Sequence, residues 1–113
     1  MRKDSLEIDT NDRAELRRII VQTQSSGFVV THGTDTLVET ALALSGIPDK
    51  TIVLTGAMLP ERFSESDADF NLGMATAVAQ IMPPGVYVCM HGLVIPADKA
   101  DRDMETGQFR FRP

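Results

Sequence analysis

Little in this sequence reads as a covalent, metal-binding or strongly charged device. The single cysteine, Cys89, cannot close an internal disulfide. It lies in the apolar run Val86 to Met90, where a buried reduced thiol is ordinary, so a reducing, cytoplasmic setting is expected. No apolar segment approaches the roughly 20 residues of a membrane span, and MRKDSLEID at the N-terminus turns acidic instead of entering a signal-peptide core. Neither export nor membrane insertion is indicated. Positive charge is also scarce, with 11 Lys and Arg against 16 Asp and Glu, a net charge of -5, and no basic cluster longer than Arg17 and Arg18. That leaves no electrostatic footprint for nucleic acid or an anionic membrane. GxGxxG and Walker sequences are missing, and His32 and His91 come without an HxH, HxxxH or cysteine cluster, so no cofactor and no metal are expected.

What remains is a globular composition, 42% hydrophobic and 24% charged over 113 residues, enough for one compact domain spanning 1–113. After a polar segment, Asp12 and Glu15 suggest a capping box for a helix carrying Leu16, Ile19, Ile20 and Thr23 on one face. A strand is expected at Phe28 to Thr31. Next comes a helix capped by Thr36 and Glu39, with Leu37, Ala41 and Leu44 turned to the core. Thr51 to Thr55 is apolar without alternation, as in a central strand covered on both faces. Met58 to Ser66 reads as a loop, and Asp67 to Ile81 as a helix with Phe70, Met74, Ala77, Val78 and Ile81 inward. Val86 to Met90 reads as a third strand, turned at His91 and Gly92 into a hairpin with Leu93 to Ile95. Pro96 to Thr106 is expected to be a solvated loop, and Phe109 to Phe111 a short edge strand.

Strand, helix, strand, helix, strand in this order predicts an α/β fold of three layers. Its sheet is largely parallel, with right-handed crossovers and helices on both faces. A domain of this type normally opens with a strand, whereas a polar tail and a helix come first here, so a missing upstream segment is expected. The stretch around which the chain is organised is GFVVTHGTDT, Gly27 to Thr36. An apolar run ends abruptly in threonines, a histidine, an aspartate and the flexible Gly33, more polar equipment than a turn requires. It stands at the strand end where open α/β sheets bind ligands. If Thr36 caps its helix, Thr34 and Asp35 are left over for a crevice. By residue type Thr31, Thr34, Thr55 and Ser5 are all candidate nucleophiles, although a hydroxyl needs a neighbouring base or cation to act. Thr34 is the best placed, beside Asp35, with Lys99 or Arg102 able to approach from a loop.

GFVVTHGTDTLVETA at Gly27 to Ala41, VLTGAMLP at Val53 to Pro60, SDADFNL at Ser66 to Leu72 and DSLEI at Asp4 to Ile8 all carry a second message. Together they resemble the N-terminal domain of the bacterial-type L-asparaginases and their glutaminase relatives, HGTDT being the most specific part. The resemblance implies an amidohydrolase domain that converts the side-chain amide of L-asparagine to L-aspartate and ammonia without a cofactor. It implies that Asp35 binds the substrate's α-amino group. Thr34 would help to activate a nucleophile or its water, coupled to a lysine after the third strand. Ser5 would contact the α-carboxylate, and the Ala57 backbone would lie near the departing ammonia. The ungapped lysine position falls on Arg102, with Lys99 three residues earlier. An arginine stays protonated and relays protons poorly.

The resemblance covers neither the family's TGGTI-like turn with its nucleophilic threonine nor its smaller C-terminal domain. The expectation is therefore a truncated or divergent asparaginase-like domain, weak or inactive alone. The alternative is a noncatalytic module that binds a small amino acid such as asparagine or aspartate, or serves in assembly. Its missing parts are expected to be covered by a homo-oligomer or a complementing polypeptide.

Overall fold

The computed structural model describes residues 7–58 and 66–113. Ser5 and most of the loop expected between Met58 and Ser66 lie outside them.

Helix α1, Thr10–Gln22, starts earlier than expected. Asp9 is its N-cap, and the reciprocal capping box is Asp9 with Asp12: Asp12 N–H donates to Asp9 Oδ1 at 2.9 Å and Asp9 N–H to Asp12 Oδ2 at 3.1 Å. Glu15 instead ion-pairs with Arg18 on the exposed face, where the guanidinium holds its carboxyl below the usual range. Strand β1, Gly27–Thr31, leads through the polar turn to α2, Leu37–Ala43. Thr36 occupies the N-cap of α2, but its side chain makes no capping bond, so the expected Thr36–Glu39 box does not form. Leu37, Ala41 and Leu44 are fully buried, as their spacing predicts.

Strand β2 is Thr51–Thr55 and is buried throughout. It pairs in parallel with β1 on one side and with β3, Gly85–Met90, on the other. Strand β4, Leu93–Pro96, closes an antiparallel hairpin on β3. His91 (φ 55°) and Gly92 (φ 77°) form its two-residue turn, both in the left-handed region that a tight hairpin demands. The sheet order is β1-β2-β3-β4. The chain then makes a single 3-10 turn, Ala97–Lys99, and a second, two-stranded sheet from β5, Ala100–Arg102, and β6, Phe109–Phe111. Much of the expected loop is thus regular structure. Ala97 and Ala100 are small enough to bury at 4% exposure while their charged neighbours reach solvent, and β6 pairs with β5 instead of edging the main sheet.

Alternate residues of the central strands feed two cores. Ile52, Leu54, Val88 and Met90 pack with Ile20 of α1 and Leu37, Ala41 and Leu44 of α2. Val53, Tyr87 and Cys89 pack on the opposite face with Ala75 and Val78 of α3, Ala68–Ile81. Burial pushes the Cys89 thiol pKa up. Phe70 and Ile81, expected inward, are 61% and 76% exposed, and Ala77 is exposed as well. Apolar residues run around most of α3, so two helical spacings compete, and the face that packs is Asn71, Ala75 and Val78.

The crossovers also depart from expectation. Both step the same way across the sheet, β1 to β2 through α2 and β2 to β3 through α3. Two right-handed crossovers in that arrangement would place α2 and α3 on one face. They cover opposite faces, so one crossover is left-handed, against a strong general preference. The uniformly apolar β2 supplies the reason, because both helices on one face would leave Val53, Tyr87 and Cys89 bare.

Candidate active site at the carboxyl end of the sheet

The three parallel strands end together at Thr31, Thr55 and Met90, and the loops that leave them carry the polar groups. The backbone ladder continues one residue beyond β1, with His32 N–H donating to Thr55 O at 2.9 Å. The two loops pass so close that a Cβ on Gly56 would sit 2.4 Å from the His32 carbonyl oxygen, so that position requires glycine.

Thr34 is half-buried in the turn, and Asp35 beside it is exposed. From the β5 side Arg102 reaches across, its Nη1 donating to Asp35 Oδ1 at 3.2 Å. Arg102 is itself clamped, with Nε donating to Gly107 O at 2.8 Å and the guanidinium 5.6 Å from the centre of the Phe109 ring. Phe109 is 2% exposed and lies 6.1 Å from the His91 ring, centre to centre. The Met58 side chain comes to the same place, since both it and Arg102 lie 3.5 Å from where a Gly107 Cβ would stand. The second, two-stranded sheet therefore presents a clamped cation to Asp35. Lys99 is not brought there. It is exposed in the 3-10 turn after β4, whose last residue pairs with Tyr87 toward the amino end of the sheet.

Ala57 lines a different part of the surface. A cleft of about 690 Å³ runs along the outer edge of β1, bounded by Leu16 and Ile19 of α1, Leu72 of α3 and the loop residues His32, Gly33 and Ala57. The loop after β2 is pinned from α3. Asn71 Nδ2 donates to Gly56 O and to Asp67 Oδ2, both at 2.9 Å, and Met58 N–H donates to the Asp67 carboxylate at 2.9 and 3.0 Å. Sequence reasoning missed Asn71, and likewise Arg13, Thr40 and Phe109. The available signal was a polar residue at a core-facing helical position, which Thr40 shares with Leu37, Ala41 and Leu44, and Asn71 with Ala75 and Val78.

Comparison with known proteins bears directly on this geometry. The family described as "Asparaginase, N-terminal" matches residues 1–110. The chain belongs to the asparaginase family. It is 37% identical over 129 residues to L-asparaginase of Thermococcus kodakarensis, an alignment covering 98% of this chain and 39% of the relative. The solved structure of the thermostable L-asparaginase from Thermococcus kodakarensis superposes with a TM-score of 0.91 at 33% identity, over 98% of this chain and 36% of that one. L-asparaginase 2 of Escherichia coli is 42% identical over 94 residues, 79% of this chain and 27% of the relative. The chain thus spans well under half the length of these relatives. Among the described residues no helix is long and apolar enough to cross a membrane.

Proposed function

We propose that these residues form the amino-acid-binding half of an asparaginase-type site, one that hydrolyses the side-chain amide of L-asparagine to L-aspartate and ammonia. The observation that carries this reading is the Asp35–Arg102 pair at the carboxyl end of a parallel sheet, on a fold shared with L-asparaginases. Asp35 takes the ligand's α-ammonium. Ser5 contacts the α-carboxylate, and the Ala57 backbone lies near the departing ammonia. Thr34 assists the nucleophile or water that attacks the amide carbon. Arg102 takes the cationic position, which Lys99 does not approach. In a reaction of this type backbone donors stabilise the oxyanion formed on attack at the amide carbon, and water hydrolyses the acyl-enzyme, with no metal required.

Ammonia release from asparagine by the purified 113-residue chain, with Thr34→Ala as control, tests the reading. Turnover that Thr34→Ala abolishes supports it, and no turnover overturns activity by the chain on its own.

A second reading, a noncatalytic module that holds a small amino acid, is favoured by Arg102. A guanidinium stays charged and so binds an anion better than it relays a proton. Aspartate binding that Asp35→Ala removes, without ammonia release, would select this reading. Among the described residues no strand pairs with the outer edge of β1, and this edge with the apolar cleft beside it supports completion of the sheet by a further strand, supplied by a second copy or a complementing polypeptide.

A further inference from the structure

We propose that Thr40 is a positioning residue for the turn that carries Thr34 and Asp35, acting through an ordered chain of hydrogen bonds from Arg13 through Thr40 and His32 to the Gly33 carbonyl. Thr40 lies on α2 and is 1% exposed. Arg13 Nε, arriving from α1, lies 2.8 Å from Thr40 Oγ1, and His32 Nε2 also lies 2.8 Å from it. His32 Nδ1 lies 2.6 Å from Gly33 O.

The direction of each bond follows from its neighbours. A guanidinium N–H only donates, so Thr40 accepts from Arg13 and has its own hydrogen left for His32. His32 Nε2 is then the acceptor, and the imidazole hydrogen sits on Nδ1. That is the arrangement Gly33 needs, because a carbonyl only accepts. The neutral Nδ1–H tautomer uses every donor once. An imidazolium would put two N–H groups on one hydroxyl, beside a guanidinium, and turn the Thr40 hydrogen away.

The consequence for the site is mechanical. His32 is held to β2 by its N–H bond to Thr55 O at 2.9 Å, and Thr36 to α2 by the Thr40 N–H bond to its carbonyl at 3.2 Å. Gly33, Thr34 and Asp35 hang between these fixed points, and the imidazole bond to Gly33 O is a side-chain tether within that span, beside the Arg102 bond to Asp35. The role given to the turn rests on the ligand reading above; the hydrogen-bond chain does not.

The test uses the full chain labelled with 15N, long-range 1H–15N spectra of the imidazoles, and calorimetry with aspartate. His91→Asn assigns the signals. The wild type is expected to hold His32 as the Nδ1–H tautomer. Thr40→Val keeps the Nδ1–H tautomer, which Gly33 O still selects, but is expected to move the Nε2 15N resonance as that nitrogen loses its hydrogen bond and to weaken aspartate binding about tenfold, the order of one lost hydrogen bond. Thr40→Ser restores both. An Nε2 resonance unchanged in Thr40→Val, or a wild-type His32 in the Nε2–H form, overturns the hydrogen-bond chain. A moved resonance with unchanged aspartate affinity overturns the positioning role. If the wild type binds no aspartate, the ligand reading and the positioning role fall together, and the spectra still decide the chain of bonds. Should Thr40→Val fail to fold, Thr40→Ala serves. It also removes the hydroxyl, and an Nε2 resonance unchanged there overturns the chain.

Discussion

Thr40 and Asn71 do the same job on opposite faces of the sheet at different cost. Each is a polar side chain about 1% exposed within a helix that otherwise buries apolar groups, and each ties down a loop at the strands' carboxyl end. Thr40, on α2, bonds His32 after β1; Asn71, on α3, bonds Gly56 after β2. The hydroxyl has one hydrogen to give, and both its donor role and its acceptor role are filled. The amide gives both of its hydrogens, but its Oδ1 is buried without a hydrogen-bond partner among the described residues. A small group with few valences can be satisfied completely in a tight interior. A larger one holds more strongly and leaves something unsatisfied.

Substitutions can break or sharpen that contrast. Asn71→Ala should cost the most, about 3 kcal/mol in urea unfolding, because it opens a cavity and strands Gly56 O. Asp67→Asn keeps the shape but removes the charge that accepts from Met58 N–H and Asn71, and should cost about 1.5 kcal/mol by the same measurement. Thr40→Val is nearly isosteric and should cost about 1 kcal/mol. A Thr40 loss as large as that of Asn71 would show the two tethers to be energetically equal and end the contrast. Arg102→Gln lies outside both tethers. Its pair with Asp35 is between side chains 24% and 56% exposed, so unfolding should shift by less than about 1 kcal/mol, while aspartate affinity falls. A large loss of stability there would mean that the β5–β6 sheet, and not the helix tethers, holds the site together.

How far the sequence foretold this depended on how locally each feature was determined. The bounds of β2 were legible because Thr51 to Thr55 is apolar on both faces and bounded by breakers. The β3–β4 hairpin was legible because His91 and Gly92 are two residues between apolar runs. The packing face of α3 was not, since Phe70 and Ile81 mimic a core stripe on a helix whose true inner face includes a polar Asn71. Nor was β5 legible, because the charges that surround Ala100 advertise a loop. The site was foretold as a place more than as a set of bonds. Gly27 to Thr36 marked the strand end, but Arg13 lies 27 residues from Thr40 and Arg102 lies 67 residues from Asp35. No local pattern joins such pairs; the sheet does.

The odd-handed crossover bears on where a ligand can go. In most open α/β sheets a crevice opens at the carboxyl edge where the strand order reverses, because loops from neighbouring strands there turn to opposite faces. Strand order does not reverse between β1, β2 and β3. Reversing the hand of one connection has the same effect. The chain leaves β1 toward the α2 face and β2 toward the α3 face, and Gly33 and Ala57 end up on the walls of one cleft. A rule of chain topology is broken once, and the parting of two adjacent loops is what it yields.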